Sequence, residues 1–178
     1  MATLTAYATS TASVGAHWGD IANVLGAPDD VYATASPDRW DNDATTVFSA
    51  LFSELASIPV SSVLNTATLN VQYKSSAYTG SEEFHMDAYL GASKLKDAYE
   101  TVPNTSEHDL TVNLLAATAV TLEQLRDATF KAVIACYRGS ATAATFSVDT
   151  VWVAVDYTPP AGGRRRRGLY TRHDGGIS

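Results

Sequence analysis

The stretch TFSVDTVWVAVDY, at residues 145–157, alternates apolar and polar side chains and changes phase once along its length. Phe146 and Val148 occupy even positions, whereas Val151, Val153 and Val155 occupy odd positions. Successive side chains of a strand point to opposite faces, so one added residue near 149–150 would bring both apolar sets to the same face. The stretch therefore predicts a long β-strand with a bulge between residues 148 and 151.

Period-two alternation recurs through residues 1–158, with strand-like segments at 66–73, 84–90, 110–114 and 130–137. The segment 130–137 is apolar on both faces, as a central strand would be. Clusters of turn-forming residues separate these segments. The pattern predicts an all-β fold, an antiparallel β-sandwich of jelly-roll type.

Two segments carry helical signals within this β pattern. Apolar residues between Val47 and Leu55 fit helical spacing as well as alternation, and we favour a strand over 45–52. Thr121 followed three residues later by Gln124 forms a capping-box signature. It predicts one short helical turn before Arg126.

The composition bounds the class of protein. With 178 residues and 46% hydrophobic residues, the chain suits one domain plus an appendage. Residues 1–158 hold 7 Lys and Arg against 18 Asp and Glu, a net charge of −11, so we do not expect this domain to bind nucleic acid. The N-terminal residues lack a basic region followed by an apolar run, and no run approaches the ~18 apolar residues of a membrane helix. We therefore expect neither a secretion signal nor a membrane partner.

Residues 159–178 differ in composition from the domain before them. They begin PPAGGRRRR and carry a net charge of +4. So polar and Gly-rich a segment cannot bury enough apolar surface to fold alone. We therefore divide the chain into a β-sandwich domain, 1–158, and a C-terminal arm, 159–178.

The arm supplies candidate partner-binding residues, which are Arg164, Arg165, Arg166, Arg167, Leu169 and Tyr170. The arginines admit three interpretations: an anchor on an acidic partner surface, a contact with nucleic acid, or a solvated run. Because the acidic domain would repel nucleic acid brought near it, we favour the anchor, with the leucine and tyrosine adding an apolar contact.

Trp152 is a further candidate for partner binding. It lies out of phase with Val151 and Val153, so it should point to the opposite face of its strand. There it would serve as a platform for a sugar ring or as an anchor at an interface between subunits. We favour packing against another subunit or layer.

Signals for catalysis are weak. Glu82 and Glu83 are adjacent, so on a strand they would point to opposite faces, and we interpret them as a loop edge. No Gly-x-Ser-x-Gly nucleophile elbow occurs, and the lone Cys136 lies in an apolar run that suggests a buried, inert thiol. We expect no enzymatic activity and no cofactor.

Signals for metal binding are equally sparse. The four histidines are scattered without the spacing of a zinc site. Asp29 and Asp30, with acidic residues downstream, read as turn-forming residues or as a weak Ca²⁺ site without EF-hand spacing. We expect no tightly bound transition metal.

Several segments together resemble a β-sandwich domain that recurs among structural proteins of tailed bacteriophages. The segments that carry the resemblance, in order, are Trp18, the Gly-x-Pro-Asp loop at 26–29 leading to Tyr-Ala-Thr at 32–34, the Ile-Pro hinge at 58–59 before the strand at 69–71, and the Asp-x-Val-x-Val-x-Val-x-Tyr strand at 149–157. The order and spacing of these segments carry the resemblance. It departs at 47–55, which is more helix-like than the family pattern.

The resemblance implies a non-enzymatic structural role in a virion assembled in the host cytoplasm, as a head decoration or as a tail or neck protein. The implied partners are major capsid or tail subunits, with a homo-oligomer possible. The alternative is a carbohydrate-binding or host-receptor adhesion module. A groove of exposed aromatic and polar side chains would favour the alternative, and a large apolar face between subunits would favour the structural role.

Overall fold

The computed structural model describes residues 1–13, 17–37 and 47–161. In these ranges the chain forms eleven strands, one α-helix and the 3-10 helices Ile21–Val24 and Ser53–Ser57. The strands are β1 Ala2–Tyr7, β2 Ser10–Ser13, β3 Trp18–Gly19, β4 Ala33–Ala35, β5 Val47–Leu51, β6 Val63–Ser75, β7 Glu82–Leu90, β8 Ser93–Thr101, β9 His108–Asn113, β10 Phe130–Arg138 and β11 Phe146–Thr158, and the helix is α1 Leu122–Arg126.

The strands build two antiparallel sheets that face each other as a sandwich. Sheet A has the order β3-β4-β11-β6-β9, with β1 also paired to β11, and sheet B has the order β2-β5-β10-β7-β8. Consecutive strands repeatedly cross from one sheet to the other, which is typical of jelly-roll folds. The predicted fold class, an antiparallel β-sandwich of jelly-roll type, is confirmed.

Aromatic side chains join the two sheets in the core. Tyr73 of sheet A stacks on Phe84 of sheet B, with ring centroids 3.9 Å apart and ring planes 9° apart. Trp18 of sheet A meets Phe48 of sheet B edge to face at 4.7 Å. All four side chains are buried, so these contacts fix how the sheets pack.

The predicted bulge lies within β11. The pairing of β11 with β6 shifts register between Val148 and Thr150, which leaves Asp149 as the extra residue. Val148 and Val151 are both fully buried, so both apolar sets face the core as the phase change predicted.

The bulge also marks a change of partner along the other edge of β11. Residues 146–148 pair with β4, and residues 152–157 pair with β1. The loop at 26–30 fills the gap between these two strands, since Thr150 Oγ1 donates to the Gly26 carbonyl at 2.7 Å and the Asp29 amide donates to Asp149 Oδ1 at 3.3 Å. The two motifs at 26–29 and 149–157 therefore contact each other.

The helical signals resolve into separate elements. Within the described residues of 45–52, the predicted strand is β5, and the helical pattern belongs to the 3-10 helix that follows it. The capping box is confirmed, because Gln124 N donates to Thr121 Oγ1 and Thr121 N donates to Gln124 Oε1. Burial of Cys136 is confirmed as well.

The interpretation of Glu82 and Glu83 as a loop edge is wrong. They begin β7, with Glu82 fully buried and Glu83 on the outer face. The Thr79 amide and hydroxyl and the Ser140 hydroxyl donate to the Glu82 carboxylate. Burial acts to raise the pKa of Glu82, but these hydrogen bonds outweigh it and lower the pKa, so a buried carboxylate starts the strand.

Candidate functional site

The outer face of sheet B carries a cluster of aromatic side chains, which we call the tyrosine face and define as Tyr89, Tyr99, Tyr137 and His85. Strand pairing places His85 of β7 directly opposite Tyr99 of β8, and their rings stack with centroids 5.2 Å apart. Tyr137 of β10 meets the same His85 ring edge to face at 4.6 Å. Tyr99 is 64% exposed, so the cluster presents aromatic surface to solvent.

One salt bridge and one histidine–carboxylate contact hold polar groups within the tyrosine face. His85 Nε2 lies 3.0 Å from Glu83 Oε2, and Lys94 Nζ lies 2.7 Å from Asp87 Oδ2. The hydrogen bond that Lys94 donates to the Asp87 carboxylate raises the pKa of Lys94, which keeps that side chain cationic at neutral pH. Oxygen acceptors and nitrogen donors thus stand fixed beside the aromatic rings.

A pocket of about 400 Å³ opens on the same outer face, toward the β2 side of sheet B. We call it the Lys131 pocket, and its lining residues are Ala12, Ser49, Leu51, Gly91, Ala128, Thr129 and Lys131. Lys131 Nζ lies 6.0 Å from the centroid of the Tyr89 ring. One lysine therefore borders both the pocket and the tyrosine face.

Trp152 lies on the outer face of sheet A, opposite to the buried Val151 and Val153, as its phase predicted. Its cross-strand partners are Tyr7 of β1 and Asn70 of β6. The sequence analysis missed Tyr7 because the two aromatic residues lie far apart along the chain. The role of Trp152 in partner binding stays a prediction.

A cluster of carboxylates lies beside the bulge. Each of three residues, Asp30, Glu107 and Asp149, contributes one carboxylate oxygen, and these three oxygens lie within 4.8 Å of one another. Burial raises the pKa of Asp149, although the amide of Asp29 donates to its carboxylate. Ca²⁺ takes six to eight oxygen ligands, of which these carboxylates would supply a part, and the weak Ca²⁺ site stays a prediction.

The turn-forming interpretation holds at Asp29, since Asp29 Oδ1 accepts a hydrogen bond from the Val31 amide at 3.0 Å. Arg164, Arg165, Arg166, Arg167, Leu169 and Tyr170 lie outside the described residues. Their assignment to partner binding stays a prediction. Among the residues that the structure covers, no helix is long and apolar enough to cross a membrane.

No local sequence pattern predicts the tyrosine face. The outward set of β7, with His85, Asp87 and Tyr89, was visible from alternation, but the strand carrying Tyr99 was not. The available signal is the alternation of Asp97, Tyr99 and Thr101 along β8. It is weak because β8 lies at the edge of sheet B, where few side chains are fully buried.

No protein-family model matches the sequence, and no curated protein matches it. Among solved structures, the chain is similar to the CBM36-1 domain of a multidomain xylanase from the hindgut metagenome of Trinervitermes trinervoides, with 11% identity and a TM-score of 0.37 over 91% of this chain and 100% of that chain. It is similar to a non-crystalline cellulose specific carbohydrate-binding module, CBM28, with 11% identity and a TM-score of 0.43 over 81% of this chain and 88% of that chain.

A Stig cyclase, Fisc from Fischerella sp. TAU, shows 10% identity and a TM-score of 0.35 over 86% of this chain and 84% of that chain. At these identities and TM-scores the likenesses carry no argument about the ligand of this chain. The assignment of the fold rests on the strand pairing described above.

Proposed function

We propose that this chain is a non-enzymatic binding module whose tyrosine face binds carbohydrate. The observation that carries the proposal is the exposed Tyr99 ring, stacked on His85 and flanked by the Lys94–Asp87 salt bridge and the His85–Glu83 contact. A sugar ring has an apolar C–H face that packs on an aromatic ring, and hydroxyl groups that need donors and acceptors around it. Binding sites commonly combine aromatic lining with a few fixed polar groups in this way.

The two functions weighed from the sequence require different surfaces. A subunit-binding role requires a large apolar face, whereas glycan binding requires exposed aromatic and polar side chains together. Within the described ranges, the exposed large apolar side chains are Met1, Leu25, Val31, Val60, Val63, Tyr78 and Tyr99. Most of them belong to loops and chain or strand ends, and Tyr99 lies among other aromatic side chains on a sheet face, which supports the glycan-binding role.

The structural role in a tailed-phage particle stays a prediction that rests on the sequence resemblance. Its anchor residues fall in the arm, beyond residue 161, where the structure is not described. The two roles are compatible if the module serves as a host-receptor adhesion domain on a virion. Binding to other virion proteins would then use the arm, and the tyrosine face would contact glycan.

The proposal is tested by affinity electrophoresis against xylan, β-glucan, mannan and polygalacturonate, followed by calorimetry with the polymer that retards the protein most. We expect Tyr99→Ala to weaken binding about tenfold, since an aromatic contact plus its buried area contributes roughly 1.4 kcal/mol or more. Trp152→Ala is the matched control, because it removes an aromatic side chain from the opposite sheet. It should leave affinity unchanged.

Two results would overturn this assignment. Absence of retardation by every polymer would remove carbohydrate binding as the function. A loss of affinity in Trp152→Ala with full affinity in Tyr99→Ala would place the site on the outer face of sheet A instead.

A further inference from the structure

We infer that the ligand is an extended neutral oligosaccharide that crosses the strands of sheet B from Tyr99 to the Lys131 pocket. This inference rests on the proposed function and adds the length, direction and charge of the ligand. The inference is supported by Lys131, which lines the pocket and also lies over the Tyr89 ring of the tyrosine face.

Strand register shows that the band from Tyr99 to the Lys131 pocket runs diagonally across one face of sheet B, because Tyr99 and His85 pair in a row with Ala135 and Val47, and that row holds no pocket residue. Residues on the outer face that pair across neighbouring strands form a row, which is Lys94, Tyr89, Lys131, Leu51 and Ser10. The next row is Asp97, Asp87, Val133, Ser49 and Ala12. With strands about 4.8 Å apart, five strands span roughly 19 Å, which is several sugar units and too long for a single sugar.

The chemical character of the surface changes along this band, from aromatic rings at the β8 end to the Lys131 pocket at the β2 end. At the β8 end the surface is aromatic, with Tyr99 and His85 stacked. In the middle, Tyr89 lies beneath the ammonium of Lys131, whose remaining donor capacity suits sugar hydroxyls. At the β2 end the surface forms the open Lys131 pocket, so one end of a bound chain would lie in a shallow depression beside Leu51 and the other would lie on an exposed ring.

Charge favours a neutral ligand over an anionic one. On the tyrosine face Glu83 and Asp87 already have cationic or potentially cationic partners in His85 and Lys94. Among the described residues that line the pocket, Lys131 is the one that carries a charge, and it lies over an aromatic ring. Residues 1–158 carry a net charge of −11, which repels an anionic polymer on approach.

The test uses the full chain and a length series of oligosaccharides prepared from the neutral polymer that binds best. We expect affinity to rise with chain length until the oligosaccharide spans the band, and then to level off. Ala128→Trp should fill the pocket, because Ala128 is an exposed residue of its lining. It should lower affinity for the longest oligosaccharide about tenfold and leave affinity for the shortest one unchanged.

Ala143→Trp is the matched control, since Ala143 is exposed in the loop after β10, at the opposite end of that strand from Lys131. It should bind every length as the parent chain does. Equal affinity for short and long oligosaccharides, or full affinity of Ala128→Trp for the longest one, would overturn the inference while leaving the proposed function in place. Tighter binding of polygalacturonate than of every neutral polymer would overturn the assignment of charge. If no oligosaccharide of any length binds, the proposed function itself fails.

Discussion

Asp149 combines three properties that rarely coincide in one residue. It is the extra residue of the bulge in β11, it is only 3% exposed, and it accepts a hydrogen bond from the Asp29 amide. Burial raises its pKa above the ordinary 3.8, and the neighbouring Asp29 and Glu107 act in the same direction. The carboxylate therefore fixes a loop at the cost of an unfavourable charge.

The sign of the pH dependence follows from this raised pKa. The folded state binds a proton on Asp149 more readily than the unfolded state, so this residue's contribution to the free energy of unfolding falls as pH rises from 3.8 through the folded pKa. Asp149→Asn keeps an oxygen acceptor for the Asp29 amide and removes the charge. We expect it to be at least as stable as the parent chain at pH 7 in metal-free buffer, with the advantage disappearing below pH 3.8.

Asp149→Ala is the matched variant that removes the acceptor as well. Relative to Asp149→Asn, we expect it to lower the free energy of unfolding by about 0.5–1.5 kcal/mol, because the Asp29 amide loses its partner. Urea unfolding at several pH values measures both variants. Lower stability of Asp149→Asn at pH 7 would contradict this account, and a loss that occurs only with added Ca²⁺ would show that the carboxylate cluster binds a cation.

At the scale of single elements, β8 accepts a side-chain hydrogen bond from the core of the facing sheet. β8 pairs with β7 on one side only, and the Tyr73 hydroxyl donates to Glu100 Oε1 at 2.6 Å from the facing sheet. Burial and this carboxylate raise the pKa of Tyr73, so the hydroxyl stays protonated and remains a donor. Glu100 is next to Tyr99, so the same contact positions the most exposed ring of the tyrosine face.

Removal of that hydroxyl should loosen β8 first. We expect Tyr73→Phe to lower the free energy of unfolding by about 1.5–3 kcal/mol, the range for a hydrogen bond to a charged group. Amide hydrogen exchange should accelerate over residues 93–101 more than over β10. Tyr99→Phe is the control, because it removes a hydroxyl from an exposed ring and should change stability by less than about 0.5 kcal/mol. Unchanged exchange in β8 would show that pairing with β7 suffices to hold it.

Some elements of this fold can be predicted from local sequence patterns, and others cannot. The bulge could be predicted because both phases of the alternation lie within one strand, on either side of Asp149. The capping box could be predicted because its two side chains are three residues apart. β8 could not be predicted, because its inward side chains include Lys96 and Glu100. These charged residues break the apolar alternation that marks a strand. The tyrosine face needed the strand order β10-β7-β8, which no local pattern specifies.

At the scale of the whole molecule, the arm and the sandwich should be separable. Residues 159–178 have a Pro-, Gly- and Arg-rich composition that cannot form a core of its own. We expect deletion of residues 161–178 to leave the melting temperature nearly unchanged and the affinity for glycan unchanged. If the virion role is right, the same deletion should weaken incorporation into particles, and replacing only the four arginines should give a milder, salt-dependent defect.

Calorimetry of the truncated chain, together with its occupancy in purified particles, checks both parts of this prediction. Full occupancy of the truncated chain would show that the arm is not an anchor. A large drop in melting temperature would show instead that the arm contributes to the stability of the sandwich.

The pairing of β1 with β11 has a consequence for synthesis of the protein. β1 covers residues 2–7, and its partner segment lies about 150 residues later, with Ala2 opposite Tyr157. At ribosomal rates of about 5–20 residues per second, β1 waits roughly 8–30 seconds before its partner has been made. During that interval its backbone donors and acceptors are open to other nascent chains. The outward face of β1 carries Thr3, Thr5 and Tyr7, so its apolar surface on that side is confined to one residue, which limits aggregation until translation of β11 supplies the partner strand.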